Sequence, residues 1–285
     1  MERYKEENIL AEQSSSPDTP EKWGAASKGY AEKVAPVLMR QFADPLIERL
    51  HVNQDATVLE VGAGSGILTE ILFPQVKSIL ATDFAPGMIE LLRNRLDVLG
   101  ATNVQCEVMD GQALTLKDSS FDAGACSFAL MLFPDRAKGF AELCRVVRPN
   151  GRVAISAWAG PDKFELFGLF LAAMRAAFPD MPPPSSPPPV FSLSDPAEFT
   201  SQMEAGGFRH VEVECVARDL EVPDFEAMWS MLTAGAPPIQ VLFDRIGPSG
   251  KERLRDQLQE IVEGRFGGGP IKTTNVATLG SGSAT

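Results

Sequence analysis

The chain has 285 residues, 44% of them hydrophobic and 22% charged, enough to bury a full core in one large domain with or without an appended cap. A formal charge of −12 and the lack of a dense Lys/Arg tract argue against a phosphate-backbone partner, because nucleic-acid affinity rests on clustered cations. No apolar stretch approaches the roughly 20 residues of a spanning helix, and Met1 to Glu7 lack a signal-peptide core, so a cytoplasmic protein without membrane insertion is expected.

In chain order, residues 1–22 are polar and partly Ser/Pro-bearing and read as a flexible N-terminal segment, with residues 23–285 as a single domain. Val58 to Val61 form an apolar run interrupted by Glu60 and followed by Gly62-Ala63-Gly64-Ser65-Gly66, a strand feeding a turn whose backbone approaches a ligand closely. A second run, Ile79 to Thr82, ends in Asp83. Two consecutive strand tips thus offer glycines and carboxylates to one crevice, the pattern of a nucleotide-type cofactor site. Ala85-Pro86 opens a helix on which Met88, Ile89, Leu92, Leu96 and Leu99 recur at helical spacing until Gly100 ends it.

A third strand, Val104 to Met109, ends at Asp110-Gly111, and a fourth runs from Phe121 to Ser127. After a helix carrying Phe140, Leu143, Cys144, Val146 and Val147, the turn Arg148-Pro149-Asn150-Gly151 leads into a fifth strand, Arg152 to Trp158. Five strands joined by crossovers of this length predict a mostly parallel sheet covered on both faces. Pro179 to Pro189 is too proline-rich for a helix and reads as an extended surface segment, either a linker or a rim of the site's mouth. Beyond it the pattern predicts a helix ending at Gly206-Gly207, a strand from Val211 to Val216, helices over about 224–244 and 249–264, and a last strand over about 272–280. The four cysteines, Cys106, Cys126, Cys144 and Cys215, have no Cys-x-x-Cys pairing, so reduced thiols are expected, and no metal.

The glycine spacing discriminates between cofactors. A dinucleotide fold calls for Gly-x-Gly-x-x-Gly, but here Ile67 stands where the third glycine would be. Glu60, just ahead of the first glycine, would repel a pyrophosphate yet suits a ligand bearing an ammonium or sulfonium charge, as S-adenosylmethionine (SAM) does.

Taken in register, these motifs resemble the class I SAM-dependent methyltransferases, in particular the small-molecule branch that includes ubiquinone and menaquinone C-methyltransferases. The motifs are Glu60 to Gly66, Asp83 with Met88, Asp110-Gly111, Phe121-Asp122 with Cys126-Ser127-Phe128, and Arg148 to Gly151. The resemblance covers roughly residues 23–160. It implies a Rossmann-like, seven-stranded α/β sheet, mostly parallel, whose last strand inserts antiparallel beside the fifth. It also implies a helical cap drawn from about 23–50, 160–200 and 222–266. The cofactor would be SAM, leaving as S-adenosylhomocysteine (SAH), and the acceptor a small molecule.

By the same resemblance, Gly62, Ala63, Gly64 and Gly66 would lie under the methionine part of SAM, with Glu60 near its positive end. Asp83, flanked by Phe84, would accept from the ribose hydroxyls, or else simply cap the following helix. Met88 would pack on the adenine, and Asp110 would accept from its amine beside Gly111 and Gln112. Ser127 and Phe128 would border the sulfonium. The segment Trp23 to Tyr30 resembles the family's N-terminal lid, with Tyr30 either a lid contact or an aromatic packed on the sheet. Phe133, Trp158 and Trp229 join Trp23 as candidate substrate-pocket residues, although plain cap packing leaves the same apolar signature.

Methyl transfer is an in-line displacement that mainly requires alignment and exclusion of water. His51 and His210 fall away from the expected ligand end of the strands. The acceptor is therefore already nucleophilic, or Tyr30 or an unplaced carboxylate assists it. The fourth strand's end, Ser127-Phe128-Ala129-Leu130, lacks the Asp/Asn-Pro-Pro-Tyr with which nucleic-acid amino methyltransferases grip a base. Two alternatives stand: a SAM-binding protein that transfers no methyl group, and an NAD-dependent oxidoreductase.

Overall fold

The computed structural model describes residues 19–182, 188–234 and 237–285. Most of the N-terminal segment, the centre of the proline tract and Gly235-Ala236 therefore lie outside the described residues. The chain begins with α1 (Pro20–Gly29), a wide-turned π-helical stretch (Tyr30–Met39) and a short 3-10 turn (Arg40–Phe42), followed by α2 (Ala43–Leu50). Strands and helices then alternate: β1 (Thr57–Val61), α3 (Ile67–Leu72), β2 (Ser78–Asp83), α4 (Pro86–Leu99), β3 (Val104–Val108), β4 (Phe121–Ser127), α5 (Arg136–Val146) and β5 (Val147–Trp158). The C-terminal part adds α6 (Glu165–Ala177), α7 (Pro196–Ala205), β6 (Phe208–Val222), α8 (Phe225–Thr233), α9 (Pro237–Phe266) and β7 (Ile271–Ala284).

The seven strands form one sheet in the order β3-β2-β1-β4-β5-β7-β6. β1 to β5 are mutually parallel, and β7 runs antiparallel between β5 and β6. The expected seven-stranded sheet with an inserted antiparallel last strand is thus present. Strand order reverses between β1 and β4, which opens a crevice beyond their carboxyl ends. β1 is central, and its Val58, Leu59 and Val61 are buried, as a strand covered on both faces requires.

Local signals explain the helix boundaries. Pro86 starts α4 and Gly100, in the left-handed region, ends it. Asp135, Asp195 and Asp224 each accept an amide N–H at the start of α5, α7 and α8. Four expectations need correction. β5 begins at Val147, because Val147 pairs with Phe121 before the turn and Arg152 re-pairs with Ala123 after it, so the Arg148 to Gly151 turn is a bulge inside the strand. β6 and β7 are longer than expected; charges such as Arg218, Asp219 and Glu221 hide an edge strand from an apolar count. The helix expected over 224–244 ends at Thr233 and a second begins at Pro237, whereas the break expected between 244 and 249 is present, at the non-helical Gly247 (φ 68°) ahead of Pro248.

Candidate functional site

At the switch point between β1 and β4 lies a cleft of about 740 Å³, including open solvent at its mouth. Its floor is the glycine loop, with Gly62 and Gly64, and its sides are the tips of β2, β3 and β4. The structure brings together Trp23, Tyr30, Gly62, Gly64, Asp83, Phe84, Met88, Asp110, Gly111, Gln112, Ser127, Phe128 and Phe133 from the expected set. Sequence reasoning missed Val61, Met109, Ala129, Leu132 and Pro134. Each adjoins a recognised motif, and its place just beside a strand tip is the signal that could have found it.

Asp83 organises the floor. Its Oδ2 accepts the Gly64 N–H at 2.9 Å and its Oδ1 accepts the Ala85 N–H at 2.9 Å, so the β2 carboxylate ties down the loop after β1. It does not cap α4, whose N-terminal residue Ala85 has no side-chain cap. A carboxylate has about four lone-pair sites, and two are used here. The remaining pair suits two neighbouring hydroxyls of a ribose. Gly64 adds room: with φ 54°, a Cβ built there meets no protein atom within 4 Å. Gly62 is the opposite case, since a Cβ there would stand 2.2 Å from the Ala129 Cβ.

The β3 tip supplies a second polar point. Asp110 Oδ1 accepts from the Gln112 N–H at 2.9 Å and from its Nε2 at 3.1 Å, while Gln112 Oε1 accepts the Asp135 N–H at 2.8 Å. At the β4 tip Phe128 adopts φ 53°. For an aromatic residue this is an outlier costing on the order of 1–3 kcal/mol, the kind of strain that gathers at functional sites. Also lining the cleft, Trp23 and Tyr30 meet edge to face with centroids 5.6 Å apart. Burial, then the charge of Asp83, pushes the Tyr30 phenol up, so it stands protonated at neutral pH.

Other expected residues sit elsewhere. Glu60 does not reach the cleft: it is buried with its Oε2 accepting from Thr69 Oγ1 at 2.6 Å. Ala63 gives its N–H to Thr82 O, and Gly66 packs on Leu92. Trp158, expected in the pocket, is buried behind it, stacked on Phe164 at 4.2 Å, because β5 is an inner strand of the sheet. Trp229 packs between Phe225 and Phe243 within the C-terminal helices. His51 lines a separate groove at the amino ends of the strands, and His210 lies on β6.

Burial pushes Glu60 up to about 8, with the Thr69 hydrogen bond opposing and the Asp83 charge adding to it. A folded-state value above the unfolded carboxylate's means that this group's stability contribution is fully present below about pH 4.5 and is lost as pH rises through about 8. Glu60→Gln, which keeps an acceptor for Thr69, is expected to flatten the fall in Tm between pH 5 and pH 8.5, measured without ligand. Parallel curves for the two proteins would refute a buried, proton-binding Glu60.

A family model described as a methyltransferase domain matches residues 59–155. A demethylmenaquinone methyltransferase from Deinococcus radiodurans is 32% identical over 170 residues, spanning 53% of this chain and 67% of that protein. A malonyl-[acyl-carrier protein] O-methyltransferase from Methylococcus capsulatus is 34% identical over 160 residues, spanning 52% and 56%. The matched part is thus between half and two thirds of these relatives' length. In fold, a phosphoethanolamine N-methyltransferase from Haemonchus contortus, solved with SAM, superposes with a TM-score of 0.55 at 13% identity, covering 94% of this chain and 58% of that one. The family model falls on the strands that build the cleft, the relatives extend the match beyond it, and the chain belongs to the class I SAM-dependent methyltransferases, with SAM as its cofactor.

Proposed function

We propose that this enzyme moves the methyl group of SAM to a small, apolar or cyclic acceptor in the cytoplasm. The observation that carries the reading is the mixed lining of the cleft: Asp83, Asp110 and Gln112 are polar side chains set among Trp23, Tyr30, Met109, Leu132 and Phe133, which are apolar or aromatic. Asp83 would take the ribose hydroxyls, Asp110 and Met88 the adenine, and the Gly62 to Gly64 backbone the methionine part. Bound SAM supplies a methyl group on a positively charged sulfur. The protein then has to align the acceptor with that methyl and keep water out, the work of Tyr30, Trp23 and the β4 tip. A protonated Tyr30 is a hydrogen-bond donor to an acceptor oxygen, which favours an acceptor that is already nucleophilic over one that must be deprotonated by the protein.

The name of the Deinococcus relative supports a cyclic acceptor. The Methylococcus relative is named for a carrier-bound malonyl group, so the proteins similar to this chain carry names with different acceptors. In accord with this, residues 23–50, 160–200 and 222–266 would act as a cap that selects the acceptor.

The test is incubation with methyl-labelled SAM and three acceptor classes: reduced quinones and phenols, carrier-bound or free carboxylic acids, and DNA or RNA oligonucleotides. Label entering the first class, with release of SAH, is the expected result. Label in oligonucleotides alone would overturn the small-molecule reading. Binding of SAM without transfer to any class would favour a non-catalytic role for the bound cofactor.

A further inference from the structure

Phe128 is the strained residue of the cleft wall, and what holds it lies outside the cleft. Its left-handed backbone, φ 53°, persists in an aromatic residue only where the surroundings over-determine it. The amide N–H of Phe128 is shared between the carbonyl oxygen of Ser156, at 3.0 Å, and the Ser156 hydroxyl, at 3.1 Å. The Phe128 ring lies on Trp158 with centroids 4.4 Å apart, while Phe42 meets both rings edge-on at 5.6 and 5.5 Å.

Ser156 and Trp158 are two residues apart on β5 and so project to the same face of the sheet. One grips the backbone of Phe128 and the other its ring. Both are buried and neither lines the cleft. The turn they hold brings Ala129 so close to Gly62 that no side chain fits between them, and it places Ser127, Phe128 and Ala129 on one wall. The Ser127 hydroxyl, on that wall, lies 3.3 Å from the Ser156 hydroxyl.

We propose that Ser156 and Trp158 are positioning residues for the methyl-transfer site, holding Phe128 in its left-handed turn and thereby fixing the β4 wall against the glycine loop. This rests on the assignment of the cleft to SAM and adds to it two residues that touch neither cofactor nor acceptor. Their effect reaches the ligand only through Phe128.

A double-mutant cycle on the full-length chain tests this, read as the Kd for SAM by calorimetry, with Tm recorded separately. Trp158→Ala is expected to weaken SAM binding about tenfold, the scale of coupling between residues in contact. Trp158→Phe, which restores a ring under Phe128, is expected to recover most of that loss. In a Phe128→Gly background, where the left-handed backbone carries no Cβ penalty and there is no ring to hold, the effect of Trp158→Ala is expected to fall to about twofold or less. Ser156→Ala runs through the same cycle should Trp158→Ala fail to fold. A Trp158→Ala that lowers Tm and leaves the SAM Kd unchanged, or one equally damaging with Phe128→Gly, overturns the proposal. Wild-type protein that binds no SAM overturns instead the assignment of the cleft on which it stands.

Discussion

Asp83→Ala is expected to weaken binding of both SAM and SAH about 100-fold or more, with a moderate fall in Tm from the two amides left without their acceptor. The effect has two parts. Hydrogen bonds to an ionised group contribute roughly 1.5–3 kcal/mol each, and in the proposed assignment the unused lone-pair sites of Asp83 would take two ribose hydroxyls. Removing the carboxylate also frees the Gly64 amide, so the loop loses its anchor to β2. Asp83→Asn is nearly as damaging in this account. An Asn oxygen can still accept from the Ala85 N–H, but its amide nitrogen then faces the Gly64 N–H, donor against donor. The loss of stability has two opposing parts: the Ala85 and Gly64 amides lose their acceptor, on the order of 1–3 kcal/mol for a buried donor, while removing a carboxyl that burial pushes up offsets part of that cost. Calorimetric titration with both ligands, beside thermal melting, checks this. SAM affinity of Asp83→Asn within a few-fold of wild type would mean that the carboxylate does not hold the ligand.

How much of this site the sequence carries depends on the kind of residue. Backbone-dominated features are legible, because the glycine loop, Asp83 and Asp110-Gly111 each combine a strand end with a residue type that the turn demands. All three reach the cleft. Glu60 marks the limit of that logic. Its position ahead of the first glycine suggests a ligand contact, yet strand alternation turns its side chain toward Thr69. Trp158 fails in a similar way. An aromatic at a strand tip satisfies either a pocket or a core, and only the three-dimensional neighbourhood, with Phe42, Phe128 and Phe164 around it, decides for the core. The left-handed Phe128 has no sequence signal at all, since nothing in its residue type favours that backbone. The long β6 is hidden for the reason already apparent in its charges: an edge strand is protected from aggregation by the residues that spoil its apolar pattern.

Gly62→Ala and Gly64→Ala, though chemically identical and two residues apart, are expected to part company. At Gly62 the added methyl would stand 2.2 Å from the Ala129 Cβ, and the backbone has φ 70°, so either the glycine loop or the β4 tip has to move. Overpacking of this kind costs typically 1–3 kcal/mol, and the left-handed backbone of a non-glycine adds on the order of 1 kcal/mol more. A large fall in Tm and loss of measurable SAM binding together are the expected outcome. At Gly64 the methyl meets no protein atom within 4 Å, because the space beyond it is the cleft itself. Only the backbone cost at φ 54° then bears on folding, and Tm is expected to shift by no more than a few degrees. The methyl nevertheless occupies ligand space beside the amide that Asp83 holds, and SAM affinity is expected to fall about tenfold or more. Thermal melting and titration of the two variants side by side resolve the matter. Equal losses of stability would mean that Gly64 packs against protein, and a Gly64→Ala that binds SAM as wild type does would place the ligand away from the glycine loop.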